Sequence, residues 1–390
     1  MLREADVKIL FISDVYFPRI NGVSTSIRTF VGQLQELGHE VHLIAPDYGV
    51  QTEDEHWIRR IPARTIYFDP EDRLMKYGAA LDKLMELRAE NYDLIHIHTP
   101  FVAHYLGLKL GRLLDVPCVE TYHTFFEDYL HHYLPWIPKA MAKGLARMVS
   151  RQQCNAVQAI VAPSRPMLDV LRQYGINSTA EVIPTGLQPH SFADADGAAF
   201  RTKYGIAQGR PVALFVGRVA FEKNIAFLVR MLTHLRQQQP DALLVIAGEG
   251  PAEDSLHAMS KQLGLQDNIQ FIGYLDREKE LNACYRAADV FVFSSKTETQ
   301  GLVLLEAMAQ GTPVVALAEL GTKSILIEGE GALIAPEDEQ VFAEKVRCLF
   351  SDEVKRKRLG ESARQYAAKR WTSRTQAERM LQFYEQLISA

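Results

Sequence analysis

Cysteine is scarce: four in 390 residues (Cys118, Cys154, Cys284, Cys348), far apart and with no C-x-x-C pair. That excludes a disulfide framework and a cysteine zinc site, and it fits reduced core thiols of a cytosolic protein. An excess of positive charge is missing too. Against 43 Lys and Arg stand 48 Asp and Glu, a formal net charge of −5, so no nucleic-acid partner is expected. No apolar run approaches the roughly 18–20 residues of a membrane span. The opening Met1-Leu2-Arg3-Glu4-Ala5-Asp6 puts acids where a secretory leader wants a basic and then an apolar stretch. A G-x-G-x-x-G is absent, which argues against a nicotinamide dehydrogenase. The expectation is a soluble chain in the cytoplasm.

What is present is an ordinary globular balance, 47% hydrophobic and 23% charged, over a length that suggests two domains. Short β-branched runs alternate with amphipathic stretches, the pattern of parallel sheets crossed by helices. In the first half the runs predict strands at Val7–Ile12, Glu40–Ala45, Asp93–His98, Cys118–Tyr122, Ala159–Ala162 and Glu181–Ile183. In the second half they predict Val212–Val216, Ala242–Ala247, Ile269–Ile272, Val290–Phe293, Pro313–Ala316 and Ala332–Ile334. Helices are expected at Thr25–Leu37, Val102–Leu114, Asn224–Gln237, Ala252–Leu263, Glu278–Ala287 and Leu302–Gln310. Strands this apolar should be covered on both faces. The fold class is therefore α/β, with two open doubly wound sheets that bind ligands beyond their carboxyl strand ends. The Pro-, Gly- and Asp-rich stretch from Ile183 to Gly197 reads as the joint.

Three loops carry chemistry. In Ser294–Val315 a strand ends, a polar loop holds Glu298, and a helix opens near Leu302 with Glu306 a turn inside. The amides of Thr299, Gln300, Gly301 and Leu302 then lie at a helix N-terminus, which favours anions. Two carboxylates there suit hydroxyl donors such as ribose and hexose. A capped helix with a solvated Glu is the plainer alternative. After the strand Val212–Val216, Arg218 and Lys223 bracket a loop and can neutralise a diphosphate without metal. Between the first strand and helix, Gly22 in Phe17–Ser26 lets backbone N–H groups approach phosphate or sugar. His123 closes the predicted strand Cys118–Tyr122 and should face the ligand.

Glu298 and Glu306 with seven residues between them, Gly301, the Glu306-Ala307-Met308-Ala309 segment and Gly311-Thr312-Pro313-Val314-Val315 together resemble the donor motif of retaining glycosyltransferases of family 4. The resemblance runs through the Arg218 and Lys223 block and covers nearly the whole chain. It implies the GT-B fold, two Rossmann-like domains facing across a cleft. Residues 1–190 and a crossing helix 373–390 would form the acceptor side, and 191–372 the nucleotide-sugar side. It further implies that Arg218, Lys223 and Gly22 take the donor diphosphate. Glu298, Thr299, Gln300, Gly301, Leu302 and Glu306 would take sugar and ribose, with His123 and Glu298 catalytic beside the anomeric centre. The family often has Gly-Gly where this chain has Asn21-Gly22, and the Asn-Gly form is similar to the branch that glycosylates diacylglycerol. The implied reaction moves a hexose from a nucleotide-diphosphate sugar (UDP-glucose, UDP-galactose or GDP-mannose) to an acceptor hydroxyl with retention. The acceptor is a membrane lipid or glycolipid; a soluble or polysaccharide acceptor, or a GT-B nucleotide-sugar epimerase, are the alternatives.

No cofactor is expected beyond the nucleotide sugar, and no metal. His96 and His98 share a strand face as metal ligands do, but no third ligand is spaced to help. Asp194-Ala195-Asp196 mimics a metal-binding Asp-x-Asp yet falls in the joint and reads as loop. Residues 129–155 hold His131, His132, Tyr133 and Trp136, then Lys139, Lys143, Arg147 and Arg151 with no acid among them. The four cations fall on one helical stripe, while Met141, Leu145, Met148 and Val149 fall largely opposite. Two readings stand: an anionic membrane contact, which would place the protein peripherally on the inner face of the membrane, or a surface helix with its apolar face in the core. The sequence assigns no oligomeric state.

Overall fold

The computed structural model describes residues 6–50, 55–66, 69–125, 127, 138–277 and 279–390. They form two compact units, Met1–Gly186 with Ser373–Ala390, and Leu187–Thr372.

The first unit holds β1 (Lys8–Ile12), β2 (Glu40–Pro46), β3 (Ile58–Ile61), β4 (Ala63–Ile66), β5 (Asp69–Met75), β6 (Leu94–Ile97), β7 (Cys118–Thr121), β8 (Ala159–Ala162) and β9 (Thr179–Val182). Seven of these make one parallel sheet in the order β3-β2-β1-β6-β7-β8-β9, and β4 pairs antiparallel with β5 apart from it. Ile9 to Ile12 are fully buried, as a strand covered on both faces requires. Helix Gly22–Glu36 presents Ile27, Phe30, Val31 and Leu34 to one face of the sheet, where they join Ala377, Met380, Phe383 and Tyr384 of the C-terminal helix Ser373–Ile388. Burying each such aliphatic side chain contributes about 1.5–3 kcal/mol. Helix Val102–Leu114 lies against β6, where a Cβ on Gly107 would stand 2.6 Å from Ile97 Cγ1.

The second unit repeats the scheme with β10 (Val212–Val216), β11 (Leu243–Ala247), β12 (Ile269–Gly273), β13 (Val290–Phe293), β14 (Val314–Leu317) and β15 (Ala332–Ala335). Its parallel order is β12-β11-β10-β13-β14-β15. Helices Ile225–Gln238, Glu253–Gln262, Leu281–Ala287 and Leu302–Ala309 match the sequence expectation within a few residues.

The structure adds β3, β4 and β5 and the helices Tyr77–Leu87, Arg165–Gln173, Glu339–Ser351 and Glu353–Arg370, which the apolar patterning did not reveal. No described helix is long and apolar enough to cross a membrane.

Candidate functional site

In each unit the strand order reverses beside its first strand, between β1 and β6 and between β10 and β13. Connections leave to opposite faces there, so a crevice opens at the C-terminal strand ends.

At the second unit's reversal, Gly217 (φ 152°) turns the chain out of β10 and half-buried Arg218 follows. A Cβ on Gly248, beyond β11, would stand 2.0 Å from Gly217 O, so the two loops touch backbone to backbone. Asn224 adopts a left-handed φ of 55° and donates from Nδ2 to Ser294 O at 3.2 Å, while Ser294 Oγ donates back to Asn224 O at 2.9 Å. These bonds clasp the loop after β10 to the loop after β13. They set Lys223 Nζ 2.5 Å from Glu298 Oε1, both half-buried.

Helix Leu302–Ala309 opens at Gly301, whose φ of 96° is left-handed and which has no side chain of its own to cap it. The loop before it is held from behind: Gly321 N donates to Glu298 O at 2.9 Å, and a Cβ on Gly321 would stand 2.1 Å from Thr299 O. Gln300 is buried and Thr299 and Leu302 are half-buried. Thus Lys223 and Glu298 are in contact, and Arg218 and the 299–302 backbone belong to the same two loops, after the paired strands β10 and β13. Glu306 lies deeper, 6% exposed, and both its oxygens are engaged: Tyr285 Oη donates to Oε2 at 2.8 Å, and Arg277 pairs with Oε1. The carboxylate holds Arg277 above its ordinary pKa, and burial, then Glu306, push the Tyr285 phenol well up. Sequence reasoning missed Arg277 and Tyr285; they lie 29 and 21 residues upstream, beyond any local pattern.

In the first unit Gly22 begins its helix with ordinary φ, is exposed, and has nothing within 4 Å of a built Cβ. Asn21 is the N-cap: its side chain accepts from Ser24 N at 2.9 Å, and Ser24 Oγ accepts from Asn21 N at 2.9 Å. Asn21 thus has a structural task.

At the first unit's reversal, His123 is half-buried and its Nε2 lies 3.0 Å from His98 Nδ1. Burial pushes His123 down to about 3 and His98 well below its ordinary value, so both rings are neutral. His96 is held by Tyr384 Oη at one nitrogen and by Thr121 Oγ1 at the other, 2.6 Å away. Beside them Asp14 accepts from Thr99 Oγ1 at 2.8 Å and Ala103 N at 2.9 Å, capping helix Val102–Leu114. Burial raises its carboxyl to about 6.

Among the described residues only Glu40, His42 and Glu90 bring three metal-type donors together, and Lys8 and Arg59 already pair with those carboxylates. Asp196 caps helix Gly197–Lys203 through Ala199 N at 2.9 Å, and Asp194 pairs with Arg364 at 2.9 Å, so the Asp-x-Asp is a cap and an ion pair.

His131, His132, Tyr133 and Trp136 lie outside the described residues. Of helix Lys139–Cys154, small and polar residues (Ala142, Ala146, Ser150, Gln153) face the core, while Met141 (65%), Leu145 (38%), Met148 (59%) and Val149 (38%) are exposed. That corrects the surface-helix reading, which put the apolar stripe in the core. An acid outside the basic segment also intervenes: Glu127 accepts from Arg147 Nε at 3.0 Å and Nη2 at 2.7 Å, and Lys143 stands 3.3 Å away. Arg147, Tyr174 and Lys143 hold the Glu127 carboxyl down at about 2. Arg147, Met148, Arg151, Phe125 and Tyr174 line a cleft of about 490 Å³ alongside.

Residues 196–366 match the family described as glycosyl transferases group 1, and residues 20–191 match Glycosyltransferase Family 4. An alpha-monoglucosyldiacylglycerol synthase of Streptococcus pneumoniae is 33% identical over 318 residues, 80% of this chain and 71% of that protein. A sulfoquinovosyl transferase of Arabidopsis thaliana is 28% identical over 92% of this chain and 70% of its own. Among solved structures, a sucrose-phosphate synthase of Thermosynechococcus elongatus superposes with a TM-score of 0.80 at 23% identity, covering 98% of this chain and 99% of that one. The Anabaena protein HepE in complex with UDP-glucose superposes at 0.78 with 19% identity, over 97% and 100%.

Proposed function

Because the chain belongs to the group 1, family 4 glycosyltransferases, we propose that it transfers a hexose, with retention and without metal, from a uridine-diphosphate sugar to a lipid hydroxyl. The single observation that carries the donor half is the Lys223–Glu298 contact at the β10–β13 reversal, on the two loops that also hold Arg218 and the Gly301 helix start. Two cations, a carboxylate and backbone amides are the groups that a diphosphate joined to a hexose calls for.

Arg218 and Lys223 take the diphosphate and stabilise the negative charge that grows on it as the glycosidic bond breaks. Glu298 and the amides of Thr299–Leu302 take the hexose hydroxyls. Glu306, anchored by Arg277 and Tyr285, keeps lone pairs on both oxygens for ribose hydroxyls. Exposed Tyr274, at the turn after β12, offers a face for the base. Gly22 gives the donor phosphates backbone approach, and His123 supports the sugar as it becomes oxocarbenium-like. The acceptor hydroxyl attacks on the face the phosphate leaves, and its proton goes to that phosphate oxygen. No side chain stands out as a covalent nucleophile.

The lipid acceptor is supported by the exposed Met141, Leu145, Met148 and Val149 on a helix that also carries Arg151. A membrane-surface helix needs this pairing of apolar face and cation. The protein would then act peripherally at the inner face of the membrane.

The test is a thermal-shift panel of UDP, GDP, UDP-glucose, UDP-galactose and GDP-mannose with and without EDTA, followed by transfer assays on diacylglycerol vesicles. Stabilisation by uridine nucleotides that EDTA leaves unchanged supports the donor and the metal-free diphosphate site. Stabilisation by guanosine nucleotides alone overturns the base, and loss of the shift with EDTA overturns metal independence.

A further inference from the structure

His98 is 2% exposed, and its Nε2 is a buried polar atom with no hydrogen-bond partner among the described residues. An orphaned buried nitrogen costs stability, and a phenyl ring would fill the same space without that cost. The surroundings favour such a ring. Phe11 lies 4.6 Å from the His98 ring centre and His96 lies 4.2 Å away. His96 cannot turn, because Tyr384 and Thr121 hold its two nitrogens.

The other ring nitrogen of His98 meets His123, Nδ1 to Nε2 at 3.0 Å, the rings nearly parallel at 26°. A neutral imidazole donates from one nitrogen and accepts at the other. One proton therefore sits between the two rings, and whichever ring carries it, the tautomer of His123 is tied to that of His98. We propose that His98 is a positioning residue: wedged between Phe11, His96 and His123, it fixes the orientation and tautomer of His123 for the sugar-transfer site. This rests on the role given to His123 above.

The experiment uses the full chain in a transfer assay with His98→Phe, His98→Asn, His98→Gln, His123→Ala and the double variant His98→Phe/His123→Ala. Phe keeps the packing and removes both nitrogens. Asn places an amide where Nδ1 was, and Gln places one near Nε2. The expected result is that His98→Phe keeps or raises Tm, by up to about 4 °C, keeps the UDP thermal shift, and lowers kcat about 10–100-fold with donor KM within about twofold. Asn restores most of the rate and Gln does not. In the double variant, loss of His98 adds nothing to loss of His123.

Wild-type kcat in His98→Phe would overturn the proposal, as would rescue by Gln instead of Asn or a double variant whose losses simply add. Should the Phe variant not fold, the contrast between Asn and Gln decides by itself. If wild type moves no sugar from any donor, it is the transferase reading that fails; an active wild type beside an unaffected His98→Phe removes His98 alone.

Discussion

Lys223 Nζ stands 2.5 Å from Glu298 Oε1, so the cation assigned to phosphate and the carboxylate assigned to sugar are immediate neighbours. In a nucleotide sugar the β-phosphate and the hexose share one bridging oxygen, and groups that bind the two must adjoin.

Lys223→Ala and Glu298→Gln should each lower kcat by about 100-fold or more, because both act on groups whose charge changes as the bond breaks. Each substitution also takes away the other's ion pair, so the double variant should fall well short of the product of the two losses. Steady-state kinetics on all three variants check this. Independent, fully multiplicative losses would show that the contact is incidental.

Glu306 should behave otherwise. Ribose is bound equally in ground and transition states, so Glu306→Ala should raise donor KM about 10-fold or more and leave kcat within a few-fold. Tyr285→Phe removes the 2.8 Å donor to Glu306 Oε2. It should lower stability by about 1–3 kcal/mol while raising KM less. An isothermal titration with UDP on both variants separates these effects; a kcat loss in Glu306→Ala as large as that of Lys223→Ala would contradict the ribose assignment.

The strands that position the site were legible because they are buried on both faces, and a run such as Ile9–Ile12 has no polar residue to disguise it. β3, with Arg59 and Arg60 at its centre, sits on the sheet edge, where polar side chains reach solvent. Helix Glu353–Arg370 hid for a related reason: it buries Leu359, Gly360, Ala363, Tyr366 and Ala367, mostly small residues that leave no strong apolar stripe. Helix Arg165–Gln173 carried a readable start, Ser164 followed by Pro166, which the apolar periodicity did not capture. At the site, Arg218, Lys223, Glu298 and Glu306 could be read because their spacing is local. Arg277, Tyr285 and Tyr384 could not, since each acts on a residue that only folding brings near.

Glu127 gives the fold a pH signature. Its native carboxyl is held at about 2 by Arg147, Tyr174 and Lys143, against 4.5 when unpaired. A lowered native value means stability that is fully present above about pH 4.5 and is lost as pH falls towards 2. With the guanidinium half in solvent, the contribution should be about 2 kcal/mol. Glu127→Gln should therefore melt several degrees below wild type at pH 7. The gap should narrow below pH 4.5 and close near pH 2. A gap that stayed constant over that range would mean the loss is one of packing, not of charge.

The membrane contact is best tested on its apolar side. Because Lys143 and Arg147 share Glu127, replacing all four cations of helix Lys139–Cys154 with Gln would disturb that ion pair as well as any lipid contact. Met141, Leu145 and Met148 are exposed, so Ser there should leave the fold intact. The triple variant should lose at least about 10-fold in affinity for anionic vesicles, since even partial burial of three such side chains is worth more than the 1.4 kcal/mol that a tenfold change represents. Its Tm and its UDP shift should match wild type. Salt should weaken wild-type binding only modestly, because Glu127 already offsets part of the charge of Lys143 and Arg147. Binding that survives the three Ser substitutions but disappears at about 0.5 M salt would move the contact away from this face and onto charge alone.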